Sequence, residues 1–183
     1  MPILTEIHRS EGINIHGKTI HRTAVRAVTL CGTNILMIYS SMVGDYKFPG
    51  GGVNEGESHE QTLRREVQEE CGMSLAKVGR EIGSVVEYNL PMEKDYDAFR
   101  MISHYYQCDV LNDIGLQKLE GYEKDLGFVP VWIDIDQAIE TNRLLLDSEY
   151  PPEWLQRETF VLQYLKQNLS QSIRRKSCLN FRR

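Results

Sequence analysis

The apolar positions of this chain fall into short runs of two kinds. Thr23–Gly32 and Asn34–Ser40 are rich in Val, Ile and Leu and read as strands that turn at Gly32-Thr33-Asn34. Ile82–Leu90 and Phe99–Val110 read as two more, joined by the polar stretch Pro91–Asp97. Residues 1–17 mix Ile3, Ile7, Ile13 and Ile15 with Glu6, His8, Arg9 and Glu11, which suggests a small hairpin turning near Gly12. Helical spacing takes over at Ser58: Ser58 and Gln61 are placed as a capping box, Leu63 and Val67 face inward at i, i+4, and Gly72 ends the helix. The region Ile133–Leu146 turns from strand into helix, capped by Asp134 or Asp136, with Ala138, Ile139 and part of Leu144–Leu146 on its buried side. Pro151-Pro152 breaks the chain, and a last helix over 153–171 carries Trp154, Phe160, Val161, Tyr164 and Leu165. That stripe reads as core or dimer surface rather than as a ligand site.

The helix after Ser58 carries the chemistry. Glu66, Glu69 and Glu70 stand at i, i+3, i+4, which puts them on one face with neighbouring Cβ atoms about 5–6 Å apart. Like charges so close repel, and a bound cation reverses the sign; Mg²⁺ and Mn²⁺ favour such oxygen ligands. Just upstream, Pro49-Gly50-Gly51-Gly52 lets the backbone bend sharply and come close to a ligand. The competing readings are a solvated acidic helix and a plain strand-to-helix turn. Against the first stand the flanking glycines and the separate Glu57.

Taken together, Gly51, Glu57, Arg65-Glu66, Glu69-Glu70 and Gly72 match every fixed position of the Nudix box in GGVNEGESHEQTLRREVQEECGM, residues 51–73. The chain resembles the Nudix hydrolase family beyond the box as well, in TAVRAVTLCGTNILMIYS, in YKFPGGG and in GFVPVWIDIDQAIE, covering residues 20 to 145 or so. The resemblance implies an α/β fold, an α/β/α sandwich around a mixed β-sheet. It also implies hydrolysis of a nucleoside diphosphate linked to another group, by water attack on phosphorus with Mg²⁺ or Mn²⁺. Carried over by position, Glu66, Glu69 and Glu70 are metal ligands, one of them serving as base, and the Gly50 carbonyl is a further ligand. Arg65 orients a carboxylate, and Glu57 supports the metal cluster or the loop. Family members often add a glutamate from a later loop. Glu120 and Glu123 are the candidates, Glu123 preferred, against the reading that both are solvated loop charges. Arg22, Arg26 and Lys47 lie near the site entrance, Arg26 and Lys47 being the candidates for phosphate binding against a role as exposed sheet charges.

Composition narrows the partners. At 183 residues and 21.1 kDa the chain suits one domain, expected over residues 1–171, with 1–17 and the last helix as additions and 172–183 as a basic tail. A net charge of −5 argues against general nucleic-acid binding and makes local cations necessary for a polyphosphate ligand. No apolar run approaches a membrane span, and the N-terminus lacks a signal-peptide core. Cys31, Cys71, Cys108 and Cys178 show no metal spacing and are read as reduced thiols of a cytoplasmic protein. The five histidines are scattered, and none is assigned a catalytic role. No Gly-Lys-Ser/Thr phosphate loop occurs, which disfavours phosphoryl transfer in the manner of a P-loop kinase. The leading expectation is a metal-dependent pyrophosphohydrolase acting on a small-molecule nucleoside diphosphate derivative, with a homodimer as an open option. The alternative is a catalytically silent nucleotide-sensing module, which loss of a box glutamate would favour; none is lost here. The loops that select the substrate carry no readable fingerprint.

Overall fold

The computed structural model describes residues 2–111, 113 and 115–168. Its strands build two sheets among the described residues. In the first, β1 (Ile3–His8), β6 (Leu75–Asn89), β7 (Ala98–Val110) and β2 (Thr19–Val28) lie in the order β1-β6-β7-β2. β6 and β7 are antiparallel, while β1 on β6 and β2 on β7 are parallel, so the sheet is mixed. In the second, β4 (Asn34–Ser40) is flanked on one edge by β3 (Leu30–Cys31) and β5 (Asp45–Lys47) and on the other by β8 (Phe128–Asp134), all antiparallel. The helices are α1 (His59–Cys71), the short α2 (Gly121–Asp125), α3 (Ile135–Leu146) and α4 (Leu155–Asn168).

Two apolar clusters hold these layers together. Leu63, Val67 and Cys71 of α1 pack with Val25, Ala27, Leu36, Ile38 and Cys108 from the strands. On the opposite side Ala138 and Ile139 of α3 and Val161, Leu162 and Leu165 of α4 meet Val28, Met37, Val85 and Tyr105. The result is the expected α/β sandwich with helices on both faces. Leu63 and Val67 are fully buried, one turn apart, and this apolar edge is what orients the acidic edge of the same helix.

Several local expectations hold at the residues that carried them. Ser58 caps α1 in a capping box with Gln61, and Gly72 closes it in the left-handed conformation. Asp134, rather than Asp136, caps α3 by accepting from the Asp136 N–H at 2.9 Å. The N-terminal segment departs from the hairpin reading. Ile3–His8 forms a single strand that pairs in parallel with Ser84–Tyr88, because its apolar residues find their partner across the chain and not in the next turn. β6 also starts seven residues earlier than the pattern suggested, at Leu75. Its first half is broken by register shifts between Leu75 and Gly83, which blur the alternation. Leu144 is exposed, at the outer side of α3. Cys71 and Cys108 are buried free thiols. The basic stretch 172–183 and Cys178 lie outside the described residues.

The helix-to-sheet packing can be weighed directly. Leu63→Ala is expected to destabilise the protein by about 2–5 kcal/mol, as a fully buried leucine leaves a cavity. Leu144→Ala should stay within about 0.5 kcal/mol. Urea unfolding of both variants checks the contrast, and equal losses would contradict this account of the core.

Candidate active site

The glycine run is fixed against β2 before any side chain is considered. Ala27 donates its N–H to the Pro49 carbonyl at 2.8 Å, Val25 to Gly51 at 2.9 Å, and Val53 to Thr23 at 2.9 Å. Gly50 sits at φ 135°, and a Cβ there would fall 2.1 Å from the Val25 carbonyl oxygen, so only glycine lets the loop lie this close. At Gly51 the Cβ would fall 2.3 Å from a Glu66 oxygen. The bare backbone is therefore the space into which that carboxylate reaches.

α1 faces this loop with its acidic edge. Glu70 is 1% exposed, and its carboxylate accepts the Gly50 N–H at 2.7 Å while Lys47 Nζ stands 3.8 Å away. Glu66 is also buried, whereas Glu69 on the flank is only partly covered. Burial pushes the Glu66 and Glu70 carboxyls up and lowers the Lys47 ammonium, since each loses water around its charged form. Arg65 ties the edge together. Its guanidinium makes a two-point pair with Glu57 at 2.9 and 3.0 Å, reaches Glu66 at 2.7 Å and Glu69 at 3.1 Å, and touches the Gly52 carbonyl at 3.3 Å. Glu57 in turn accepts from the Thr62 hydroxyl at 2.9 Å and the Asn54 N–H at 3.2 Å, closing the loop onto the helix.

Gly50, Gly51, Gly52, Asn54, Arg65, Glu66 and Glu69 line part of a 480 Å³ pocket, a volume that suits a small-molecule ligand. Arg26, from β2, is buried in it and donates to the Gly50 carbonyl, while its Nε has no hydrogen-bond partner among the described residues. Lys47 lies over the Phe128 ring at 4.0 Å. Of the two later glutamates, Glu123 is buried and Glu120 exposed. Both line the pocket, and Glu123 accepts the Glu120 N–H at 2.7 Å.

Among the described residues, no group of three His, Cys, Asp or Glu side chains is arranged to hold a metal ion. The reason is local: Arg65 lies between Glu66 and Glu69, Glu70 is turned to the Gly50 N–H, and Arg26 occupies a lone pair of the Gly50 carbonyl. The donors nonetheless suit a hard divalent cation. They are carboxylate and carbonyl oxygens, and two of the carboxylates are desolvated, negative charge that a cation would compensate.

Another part of the pocket lining was not foreseen. Arg9 at the end of β1, Glu87 and Asn89 of β6, Trp154 just before α4 and Arg157 within it all line it. Glu87 binds Arg9 through one oxygen and Arg157 through the other. Arg157 also holds Glu158 at 2.7 and 3.1 Å, and Glu158 accepts the Phe48 N–H at 2.9 Å. Charged residues scattered along a chain give no signal of such a network. Trp154 stood within an apparent core stripe, and only the proline pair before it hinted that it stands apart.

An acidic helix edge set against a glycine loop, in a pocket that Arg26 and Lys47 also line, defines an α/β protein with a site of mixed charge. The chain belongs to the Nudix family: the NUDIX domain model matches residues 20–157. Solved structures with this fold include the ORF135 protein of E. coli, at 19% identity and TM-score 0.52, covering 81% of this chain and 92% of that one. A NUDIX hydrolase from Nitrosomonas europaea is 17% identical with TM-score 0.52, covering 81% and 90%. A structure from a study of MutT of the fish pathogen Aliivibrio salmonicida and of Vibrio cholerae is 15% identical with TM-score 0.51, covering 82% and 100%. At these identities the likeness is one of fold. No curated protein matches the sequence. Nudix hydrolases generally use divalent metals such as Mg²⁺ or Mn²⁺, and the family implies hydrolysis of nucleoside diphosphate derivatives. No described helix is long and apolar enough to cross a membrane.

The Arg65 pair makes a pH-dependent contact. Hydrogen bonds from Arg65 hold the Glu57 carboxyl down from its ordinary 4.5 to about 2. A carboxyl depressed on folding stabilises the native state above its unfolded value, and that contribution fades as pH falls from about 4.5 to about 2. Carboxyl ¹³C shifts should place the Glu57 midpoint near 2 in the native protein and move it up in Arg65→Ala. Identical midpoints in both would remove Arg65 as the cause.

Proposed function

We propose that the chain is a metal-dependent pyrophosphohydrolase that cuts the phosphoanhydride of a nucleoside diphosphate linked to another group. The observation that carries this reading is that Gly50, Glu66 and Glu69 line one pocket with Arg26 and Lys47, while the buried Glu70 carboxylate holds the Gly50 N–H beside them. Glu66, Glu69, Glu70 and Gly50 would hold Mg²⁺ or Mn²⁺, which when bound neutralises the phosphate oxygens and activates water as a nucleophile.

The remaining work falls to the chain's own groups. Arg26 lines the pocket with a guanidinium suited to a phosphate oxygen, and its buried Nε has no partner among the described residues. Lys47 adds a second positive charge beside it, held over Phe128 where water is scarce. Arg65 keeps Glu66 and Glu69 apart and orients them, and Glu57 keeps Arg65 in place. One carboxylate of the cluster takes the proton from the attacking water, with Glu123 a further candidate for that task or for holding metal. The Gly50–Gly52 backbone lies close enough to β2 to leave the phosphates room.

The first test is a product screen with Mg²⁺ and Mn²⁺ over dNTPs, nucleotide sugars, ADP-ribose and dinucleoside polyphosphates. Turnover should vanish on chelation and be poor with Ca²⁺, whose longer bonds misplace the reactants. Hydrolysis in ¹⁸O-labelled water should put the label on a phosphoryl product; label on a sugar carbon, or cleavage of phosphomonoesters alone, would sink the reading.

With the substrate in hand, Glu66→Gln and Glu70→Gln should each lower kcat at least ~100-fold, the scale of losing an electrostatic or acid–base contribution. Near-normal turnover in both, with Mg²⁺ saturating, would falsify the ligand assignment.

A further inference from the structure

The last turn of α1 has two tasks. Its side chains at Glu69 and Glu70 belong to the acidic edge, while its backbone carbonyls have run out of helical partners. No basic side chain stands in that turn to meet them. The segment after β7 meets them instead. The Gly115 N–H donates to the Gly72 carbonyl at 2.7 Å, the Lys118 N–H to the Glu69 carbonyl at 2.8 Å, and the Gln117 side-chain amide to the Glu70 carbonyl at 2.5 Å. The approach is close: a Cβ on Gly72 would fall 2.4 Å from the Gly115 carbonyl oxygen.

Gln117 has a second partner. The same nitrogen donates to the Phe128 carbonyl, at the start of β8, at 3.1 Å. A side-chain amide carries two N–H donors, so both bonds form at once. One group thus joins the two ends of the loop 118–127 and pins that neck to α1. The loop contains α2 and supplies Glu120, Tyr122 and Glu123 to the pocket lining. Its returning limb is also held from outside, where the Ser41 and Met42 N–H groups donate to the Gly127 and Leu126 carbonyls at 3.1 and 3.2 Å. Its outgoing limb is held to α1 by Gln117 and the Lys118 N–H. Glu123 is buried within the loop, its carboxylate accepting the Glu120 N–H at 2.7 Å.

We propose that Gln117 is a positioning residue for Glu123. Its amide fixes the loop that carries Glu123 against the helix that carries Glu66, Glu69 and Glu70, so that the Glu123 carboxylate adds its charge to the same divalent-cation site. The proposal rests on the reading of that helix edge as a metal site. Gln117 itself does not line the pocket, so replacing it takes no group away from a bound ion. Its effect on cation binding has to pass through the loop it holds.

The test is Mn²⁺ binding to the full chain without nucleotide, read from the electron paramagnetic resonance of the free ion. It compares the wild type, Gln117→Met, Glu123→Gln and the double variant. Gln117→Met keeps the length of the side chain and removes both donors. Each single change should weaken binding about 10-fold, the scale for the outer partners of a metal site. The double variant should bind no more weakly than Glu123→Gln alone, because residues that act through one another do not add. Hydrogen exchange supplies a local signature. In Gln117→Met the Lys124 and Leu126 amides, bonded within the loop, should exchange faster, while those inside α1 keep their wild-type rates. Wild-type affinity in either single variant, losses that multiply in the double variant, or faster exchange throughout α1 would overturn the proposal. If Gln117→Met does not fold, Gln117→Asn, too short to reach both carbonyls, takes its place in the same cycle. If the cycle behaves as expected but nothing is hydrolysed with Mg²⁺, the pyrophosphohydrolase reading alone fails. If hydrolysis occurs and the losses multiply, the role of Gln117 alone fails.

Discussion

Everything at the site depends on one backbone contact, the Gly50 N–H against the buried Glu70 carboxylate at 2.7 Å. It joins the two pieces that sequence alone leaves separate, the glycine run and the acidic helix. On one side, β2 holds the loop through hydrogen bonds from Val25 and Ala27. On the other, Leu63 and Val67 bury the apolar edge of α1 and so commit the opposite edge to the pocket. A buried carboxylate without a donor would be costly, and a buried glycine N–H without an acceptor would cost as well, though much less. Each group therefore fixes the other, and the surrounding charges arrange themselves about the pair.

Charge compensation then runs outward in two directions. Lys47 and Arg26 stand on the loop side of Glu70 and Glu66, while Arg65 and Glu57 close the solvent side. Further along the pocket a second set, Arg9, Glu87, Arg157 and Glu158, is balanced within itself and ends on the Phe48 N–H, two residues before Gly50. A buried ion pair is weak evidence for stability, but an unpaired buried charge is expensive. The position of the glycine loop is thus set by both networks, at Phe48 and at Gly50.

The acidic half of the site was legible because its grammar is local. Three glutamates at helical spacing, a capping box at Ser58 and Gln61, and a glycine after the helix all fall within one short window, and the geometry follows from the helix itself. The fold class was legible through the family resemblance that this window and its flanking stretches carry. Partners were harder to read. Alternation marked Ile3–His8 as extended, but nothing in it says that the strand will pair in parallel with β6 rather than fold back near Gly12. Arg9, Glu87 and Arg157 come from three elements, and each alone looks like an ordinary surface charge. Trp154 was masked by the apolar residues that follow it, Val161 and Leu165, which do face the core.

The parallel pairing of β1 with β6 has a kinetic side. Arg9 meets Glu87 across 78 positions, and Arg157 meets it across 70 from the other direction. Closing such loops costs entropy before any contact repays it, whereas α1 and its capped turn assemble from neighbours. The acidic wall can therefore form early, while the far wall waits for both ends of the chain to arrive. A chain emerging from the ribosome would hold a finished acidic edge facing a half-built cavity, and it would gain its second wall only once α4 had been made.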